Sequence, residues 1–474
     1  MIFRRNLLIL TNNSIYYKVF IILSLAIFGW YFFTPQPGLS EKAIHMLIVF
    51  VAVMISAMLE IYTPVLLFLI GIVVLNLTNT IDVKQSFRGF SNIIPWLLFS
   101  ILSLAKAITK TTLGLRIAYI FMRFFGRGII GLSYSIILTE VFVAPFMPSN
   151  TARVASIGLP LVKSLSKYVS SNVKGVSEKA VGGYLSILCT ASCAVCSAMY
   201  ATGMVSNALI LDIATAAGVG ITWISWLKFT ILPCAIILLL LPVIISAIIK
   251  PNVKSLETLR EQAARNYKQL GSMTKEEKFI AIVFTGMLLM WIFSKYIGVP
   301  ILVTALIGLC IFLIFGTLDV KDILSNDSAF NSVMIIGLLM SYVNNMTSLG
   351  VIDWFTGVTS GFVGSLNKEI SFFALAIIYF FAAYFFSGES GKVTALYAPF
   401  LATGLTLGVD KTTVAMTLAV FSALPDVLTH YTAPISILMF SSGYVSARKW
   451  ASTGIALAVI IMLIWFSYVW FLIH

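Results

Sequence analysis

The chain has 474 residues, of which 59% are hydrophobic and 10% charged, with a mean hydropathy of +1.01. No soluble domain of this size hides so much apolar surface, so the composition specifies an all-α polytopic membrane protein. The 31 Lys and Arg outnumber the 18 Asp and Glu, but they sit in short loops between apolar runs rather than in one patch, which argues against nucleic acid and for orientation in a bilayer.

Apolar runs close to the length a bilayer demands fall at roughly 15–33, 41–59, 61–79, 92–109, 182–218, 223–249, 277–296, 299–315, 331–348, 412–441 and 451–473. They predict about eleven transmembrane helices. Arg4 and Arg5 precede the first run and no small-residue cleavage site follows it, so residues 1–40 read as a retained N-terminal helix. Two further apolar segments, 130–166 and 371–406, carry prolines and small polar residues at their middles. They read as re-entrant hairpins, each entering and leaving on one face.

Positive charge sets the orientation. Lys106, Lys110, Arg116, Arg123 and Arg127 lie at and after the end of the fourth run, Lys163, Lys167, Lys174 and Lys179 lie at the exit of the first hairpin, and 250–278 is the largest basic stretch. All three fall inside if the N-terminus is cytoplasmic, with Lys84 and Arg88 as minor exceptions. The expectation is a multi-pass protein of the plasma (inner) membrane. Residues 250–276, of mixed charge, read as a cytoplasmic linker helix between a first repeat, 41–249, and a second, 277–474.

The repeat is visible at the hairpin tips. Aligned without a gap, Ser149 falls on Gly388, Thr151 on Ser390, Arg153 on Lys392, Val154 on Val393 and Pro160 on Pro399. Thr112-Leu113-Gly114-Leu115 likewise recurs as Ser348-Leu349-Gly350-Val351. An odd number of crossings per repeat turns the second copy upside down, a signature of secondary transporters whose site lies at the repeat interface.

Each hairpin has a partner run broken by polar residues: 182–218, with Thr202, Gly203, Ser206 and Asn207, and 412–441, with Pro425, Asp426, Thr429, His430, Thr432 and Pro434. Unwound backbone exposes N–H donors and the positive ends of half-helices, which suits an anion. Hydroxyls and amides add neutral donors for carboxylate oxygens. The expected substrate-binding set is therefore Ser149, Asn150, Thr151, Thr202, Asn207, Ser390, Thr429 and Thr432. A single Ser-Asn-Thr in a membrane helix ordinarily ties helices together. Two polar tips, each with a broken run, point instead to a ligand.

Arg153 and Lys392 lie just beyond the tips in segments too apolar to be loops, where a charge costs at least ~3 kcal/mol. They read as charge-compensating residues, assisted by His430. His430 also fits a core histidine held by Asp426 one turn earlier, but its place inside the break favours the site. Glu389 and Glu140 read as local partners, the first of Lys392 and the second within its own hairpin. Cys189, Cys193 and Cys196, at helical spacing in an apolar run, read as small packing residues. No metal, cofactor or enzyme constellation is expected: the histidines are His45, His430 and His474, without a His-Glu-x-x-His motif. Gly391-Lys392 is no phosphate loop, because Phe386 and Val393 stand where that motif needs Gly and Ser or Thr.

On Pro148-Ser149-Asn150-Thr151-Ala152-Arg153, and on Leu428-Thr429-His430-Tyr431 followed by Gly443-Tyr444-Val445, the chain resembles the divalent anion/sodium symporter family. Within that family it is most similar to the 2-oxoglutarate/malate translocator and citrate/succinate antiporter branch, along essentially the whole chain. The resemblance implies sodium-independent exchange of small dicarboxylates such as 2-oxoglutarate, malate, succinate and fumarate. It also implies a homodimer, a scaffold around runs one to four and seven to nine, and an elevator-like transport body of hairpins and remaining runs. Gly388-Glu389-Ser390 stands where symporters of that family carry Ser-Asn-Thr, a departure that bears on the second sodium site. The alternative is a sodium-coupled dicarboxylate symporter of the same fold.

Overall fold

The computed structural model describes residues 39–58, 62–172, 175–251, 257–354, 357, 367–386 and 388–474. The run expected at 15–33 lies outside the described residues. Among those residues every regular element is helical. In chain order the principal helices are α1 (Glu41–Met58), α2 (Pro64–Leu77), α3 (Ile93–Thr109), α4 (Leu113–Phe125), α5 (Ile129–Val143), α6 (150–172), α7 (Glu178–Met199), α8 (Val205–Ala216) and α9 (Trp223–Ile248). The linker helix α10 (Glu257–Gln269) leads to α11 (Lys275–Ile292), α12 (Ile301–Ile314), α13 (Asp327–Ser348), α14 (Lys368–Phe381), α15 (389–405), α16 (Lys411–Ala423), α17 (Pro434–Phe440) and α18 (Ala447–Ile473).

Local chemistry sets these boundaries. The Asn92 side chain accepts from Ile94 N to start α3, and Thr274 and Glu277 close a reciprocal capping box on α11. By length and composition α7, α9, α18 and the helix Lys368–Phe385 are able to cross a membrane. Helices α3 and α4 qualify together, bent by 63° at the break between them. Pro64–Leu77, Ile129–Val143, Val205–Ala216 and Ile301–Ile314 are apolar but shorter.

Residues 113–125, expected as a basic connection, form a helix instead. Arg116 within it is 2% exposed, its Nη2 lies 3.1 Å from Glu277 Oε2, and its guanidinium also donates to the carbonyls of Leu270 and Gly271. The linker joins the same contact, since Arg260 Nε donates to the Arg123 carbonyl at 2.7 Å. One buried ion pair thus fixes the linker's end, α4 and the start of α11 together.

Two groups of helices pack within themselves. Helices α1, α2 and α3 gather with α11, α12 and α13, while α5, α6, α9, α16 and α17 surround α7. Helix α7 is buried on every side because it is built from Ser186, Cys189, Ser192, Cys193, Cys196, Ser197 and similar small residues, which let neighbouring backbones come close. Its cysteines are free thiols in the core. The groups meet where α8 packs on α3, with Asn92 Nδ2 donating to Asp212 Oδ2 at 2.8 Å.

Helix α18 holds the break after α16 through Gly454. A Cβ there would lie 2.3 Å from the Leu428 carbonyl oxygen and 2.5 Å from that of Val427, whereas a Cβ on Gly286 of α11 would meet nothing within 4 Å. Gly454→Ala is therefore expected to cost about 1–3 kcal/mol. Gly286→Ala, in a helix interior, is expected to stabilise by about 0.5–1 kcal/mol. Thermal melts of the purified variants check the pair; equal midpoints would show that Gly454 is not a contact point.

Candidate functional site

The two polar tips take the same local structure. Ser149 and Gly388 each occupy the N-cap position of a short α-turn, Asn150–Arg153 and Glu389–Lys392, followed by a π-helical stretch, Val154–Gly158 and Val393–Tyr397. Pro160 and Pro399 explain the widening. Proline has no N–H for the carbonyl one turn earlier and its ring pushes that carbonyl away, so the turn before it opens. The tips differ in capping: the Ser149 hydroxyl accepts from Ala152 N, and Gly388 has no side chain to do so.

The two breaks also correspond. Residues 200–204 separate α7 from α8, and 428–433 separate the 3-10 turn Leu424–Val427, which follows α16, from α17. Met204 and Ala433, the N-cap residues of α8 and α17, have nearly the same backbone, φ −148° in both with ψ 161° and 153°, and neither helix is capped by a side chain. Packing is crosswise: the first tip lies against α7 and α17, the second against α16 and α8.

The tips touch at their aligned positions. Asn150 Nδ2 donates to Glu389 Oε1 at 2.9 Å, and the hydroxyls of Ser206 and Ser390 are 2.9 Å apart, tying the first break to the second tip. Asn150 Oδ1 accepts from Thr151 N at 2.8 Å, so that side chain is used on both sides. The structure therefore gathers Asn150, Ser206, Glu389 and Ser390 at one buried centre.

Other expected residues have structural partners. Thr202 Oγ1 donates to the Pro145 carbonyl and accepts from Trp223 Nε1. Asn207 Nδ2 donates to the carbonyls of Ser197 and Tyr200, bridging the first break. Thr429 and Thr432 organise the second: the Thr432 hydroxyl donates to the Asp426 and Thr429 carbonyls, and the Thr429 hydroxyl accepts from Tyr431 N. His430 is half-buried, its ring centroid 4.4 Å from that of Phe440 and 5.4 Å from that of Tyr431. Among the described residues it forms no hydrogen bond to Asp426.

The two cations are held differently. Arg153 is fully buried, with Nε 3.0 Å from Glu140 Oε2, Nη1 2.8 Å from the Gly203 carbonyl and Nη2 2.7 Å from Ser197 Oγ. Expected as a counter-ion for a ligand, it has its charge already matched by Glu140. Lys392, also buried, donates to the Phe421 carbonyl at 2.7 Å and lies 4.9 Å from the centre of the Tyr379 ring. Glu140 and Tyr379 lie at the same spacing before their cations, so one half supplies a carboxylate where the other supplies an aromatic face. Electrostatic partners of Lys392 are Asp426 and Glu389.

Five buried side-chain oxygens have no hydrogen-bond partner among the described residues: the hydroxyls of Ser103 and Ser186, Asn207 Oδ1, Glu389 Oε2 and Asp426 Oδ2. Glu389 and Asp426 were not in the set expected from sequence, and the signal for them was the gapless pairing of Glu389 with Asn150. Beside the second tip a cavity of about 180 Å³ is lined by Met54, Pro64, Phe68, Gly388, Ser390 and Thr394, among others. Beside the first tip the corresponding space, at Pro148, Thr202 and Met204, is about 10 Å³.

Glu140→Ala is expected to destabilise the protein by about 3–5 kcal/mol because it strands a buried guanidinium, and adding Arg153→Met is expected to recover most of that loss. Thermal melts of the single and double variants decide; a double variant no more stable than Glu140→Ala would show that the pair is not what holds the tip.

Comparison with known proteins follows this geometry. The family described as the sodium:sulfate symporter transmembrane region matches residues 16–473. A chloroplastic dicarboxylate transporter 2 of Spinacia oleracea is 33% identical over 439 residues, 92% of this chain and 78% of its own. The citrate/succinate antiporter of Escherichia coli K12 is 26% identical over 93% of this chain and 94% of its own. The crystal structure of the Alcanivorax borkumensis YdaH transporter aligns with a TM-score of 0.56 at 11% identity, covering 82% of this chain and 86% of that one, a likeness of fold.

Proposed function

Because the chain belongs to the sodium:sulfate symporter transmembrane family and is a membrane transporter rather than an enzyme, we propose that it exchanges small dicarboxylates by a sodium-independent, elevator-type antiport. The observation that carries this reading is the buried meeting of two polar tips and two helix breaks, with Lys392 buried in the second tip. The names of the relatives, a dicarboxylate transporter and a citrate/succinate antiporter, support the same cargo and mode.

In this reading Ser149, Asn150, Thr151, Thr202, Asn207, Ser390, Thr429 and Thr432 line the route or shape the backbone that donates to substrate carboxylates. Lys392 and His430 face the cargo, and Arg153 stays with Glu140 to hold the first tip. The halves form an inverted repeat, the helices around α7 form the moving body, those around α3 and α13 the scaffold, and two copies a homodimer in the plasma (inner) membrane with the N-terminus cytoplasmic.

Exchange follows from charges that cannot leave. A symporter releases its cations with its dianion, so its empty site re-crosses with little net charge. Lys392, Glu389 and Asp426 remain behind, and moving them through the bilayer with their polar atoms uncovered by cargo is costly. About 4 kcal/mol added to that barrier slows the empty return roughly a thousandfold. The second reading is sodium-coupled dicarboxylate symport, which the description of the family itself favours.

Radiolabelled dicarboxylate uptake into proteoliposomes separates the two. Robust uptake is expected only into vesicles preloaded with dicarboxylate, unchanged when choline replaces sodium; sodium-driven uptake into empty vesicles would promote the symporter. In the same assay Asn150→Ala and Thr429→Ala are expected to weaken apparent affinity roughly ten- to a hundredfold, as for a lost hydrogen bond to a charged group. Unchanged affinity in both, with intact folding, would remove these residues from the site.

A further inference from the structure

Two carboxylates beside Lys392 each keep one oxygen free of hydrogen bonds. Glu389, 8% exposed, uses Oε1 to accept from Asn150 while its Oε2 accepts nothing among the described residues. Asp426, 2% exposed, likewise leaves Oδ2 without a partner among them. The two carboxylates act electrostatically on each other and on Lys392. Yet Lys392 donates to the Phe421 carbonyl and rests on the Tyr379 ring. An unsatisfied, buried carboxylate oxygen is unfavourable, and a bound cation relieves it.

Among the described residues, the groups around the cluster supply no further fixed charge to balance it. From α5 and α6 comes the Arg153–Glu140 pair, already matched, with Asn150 in front of it. Helix α7 contributes Cys193, α8 contributes Ser206, α14 contributes Tyr379, and the second break contributes His430. With both carboxylates ionised, Lys392, Glu389 and Asp426 sum to one net negative charge. A dianion entering beside them would make the centre strongly negative in a medium that screens poorly.

We propose that Glu389 and Asp426 form a proton-binding site, and that loading of a dicarboxylate dianion takes up a proton there. The proton comes from water and bonds to one of the two unpartnered oxygens, Glu389 Oε2 or Asp426 Oδ2. No bond within the substrate changes. Its uptake lowers the negative charge that faces the cargo and leaves Lys392 as the fixed cation beside it. The inference rests on the dicarboxylate reading above and names the coupling ion of that same site.

The test is calorimetric binding of 2-oxoglutarate to the purified full-length protein, in buffers of different ionisation enthalpy, between about pH 6.5 and 8.5, where both substrate carboxyls are ionised. The expected result is uptake of up to about one proton per dianion and an affinity that falls, by up to about tenfold per pH unit, as pH rises. E389Q and D426N are each expected to reduce the uptake and flatten the pH profile. Should one variant fail to fold, the other decides; proton uptake that a folded carboxylate variant retains in full overturns the proposal by moving the proton to His430 or Lys392. Binding with no proton uptake and no pH dependence overturns the proposal while leaving the dicarboxylate reading intact. An affinity governed by sodium at fixed pH also overturns it, assigning the free oxygens to a metal ion. Failure of every dicarboxylate to bind overturns the parent reading and this one with it.

Discussion

The structure depends on how two cations are buried where water cannot reach them. Arg153 and Lys392 occupy the same position after their tips, immediately before a π-helical stretch, and each reaches back to the helix that precedes its own break. A buried charge is tolerated only when matched or well solvated by dipoles. The first half answers with Glu140 and three further oxygens; the second answers with one carbonyl and the face of Tyr379. An aromatic face stabilises a cation without neutralising it. The near-symmetric frame therefore holds one cation paired with a carboxylate and one that, among the described residues, makes no direct ion pair.

Much of the arrangement was legible in the sequence because its signals are local. Prolines, glycines and small polar residues interrupt apolar runs, and interruptions mark where helices stop whatever they later pack against. The pairing of Ser149 with Gly388 and Pro160 with Pro399 lands on equivalent N-caps and equivalent π-stretches for that reason. Less legible was anything decided by a partner far away in the chain. Arg116 looks like a loop cation until Glu277 is brought to it, and Arg153 looks like a free charge until Glu140 is. Length was a weak guide too: the second hairpin was expected over 371–406, yet Lys368–Phe385 is by itself long and apolar enough to cross.

Hydrogen-bond use separates residues that build the site from residues that face into it. Asn207 Nδ2 and Thr432 satisfy carbonyls that the breaks leave without helical partners, and Thr202 satisfies the Pro145 carbonyl at the turn before the first tip, which is the obligation of any unwound backbone in an apolar interior. Replacing them disturbs the shape of a break before it touches a ligand. Ser206 and Ser390 share a bond that either hydroxyl can donate. That bond is the kind that opens and reforms without stranding a charge.

If the cargo is the dicarboxylate proposed above, the contact between Asn150 and Glu389 carries the largest consequence. These residues are aligned positions of the two tips, and their bond is an amide donating to a carboxylate, the interaction that a dicarboxylate would offer. An amide hydrogen serves one strong acceptor at a time. A substrate carboxylate arriving at Asn150 must therefore use the other amide hydrogen or displace Glu389, and displacement returns an ionised side chain to a site that 8% exposure leaves almost dry. Neutralising Glu389 removes that obstacle, because a protonated carboxyl can donate where the carboxylate could only accept. In the proposed reading, charge state and occupancy of the tips are one event, set by the chemical likeness between a side chain of the protein and the dicarboxylate proposed as its cargo.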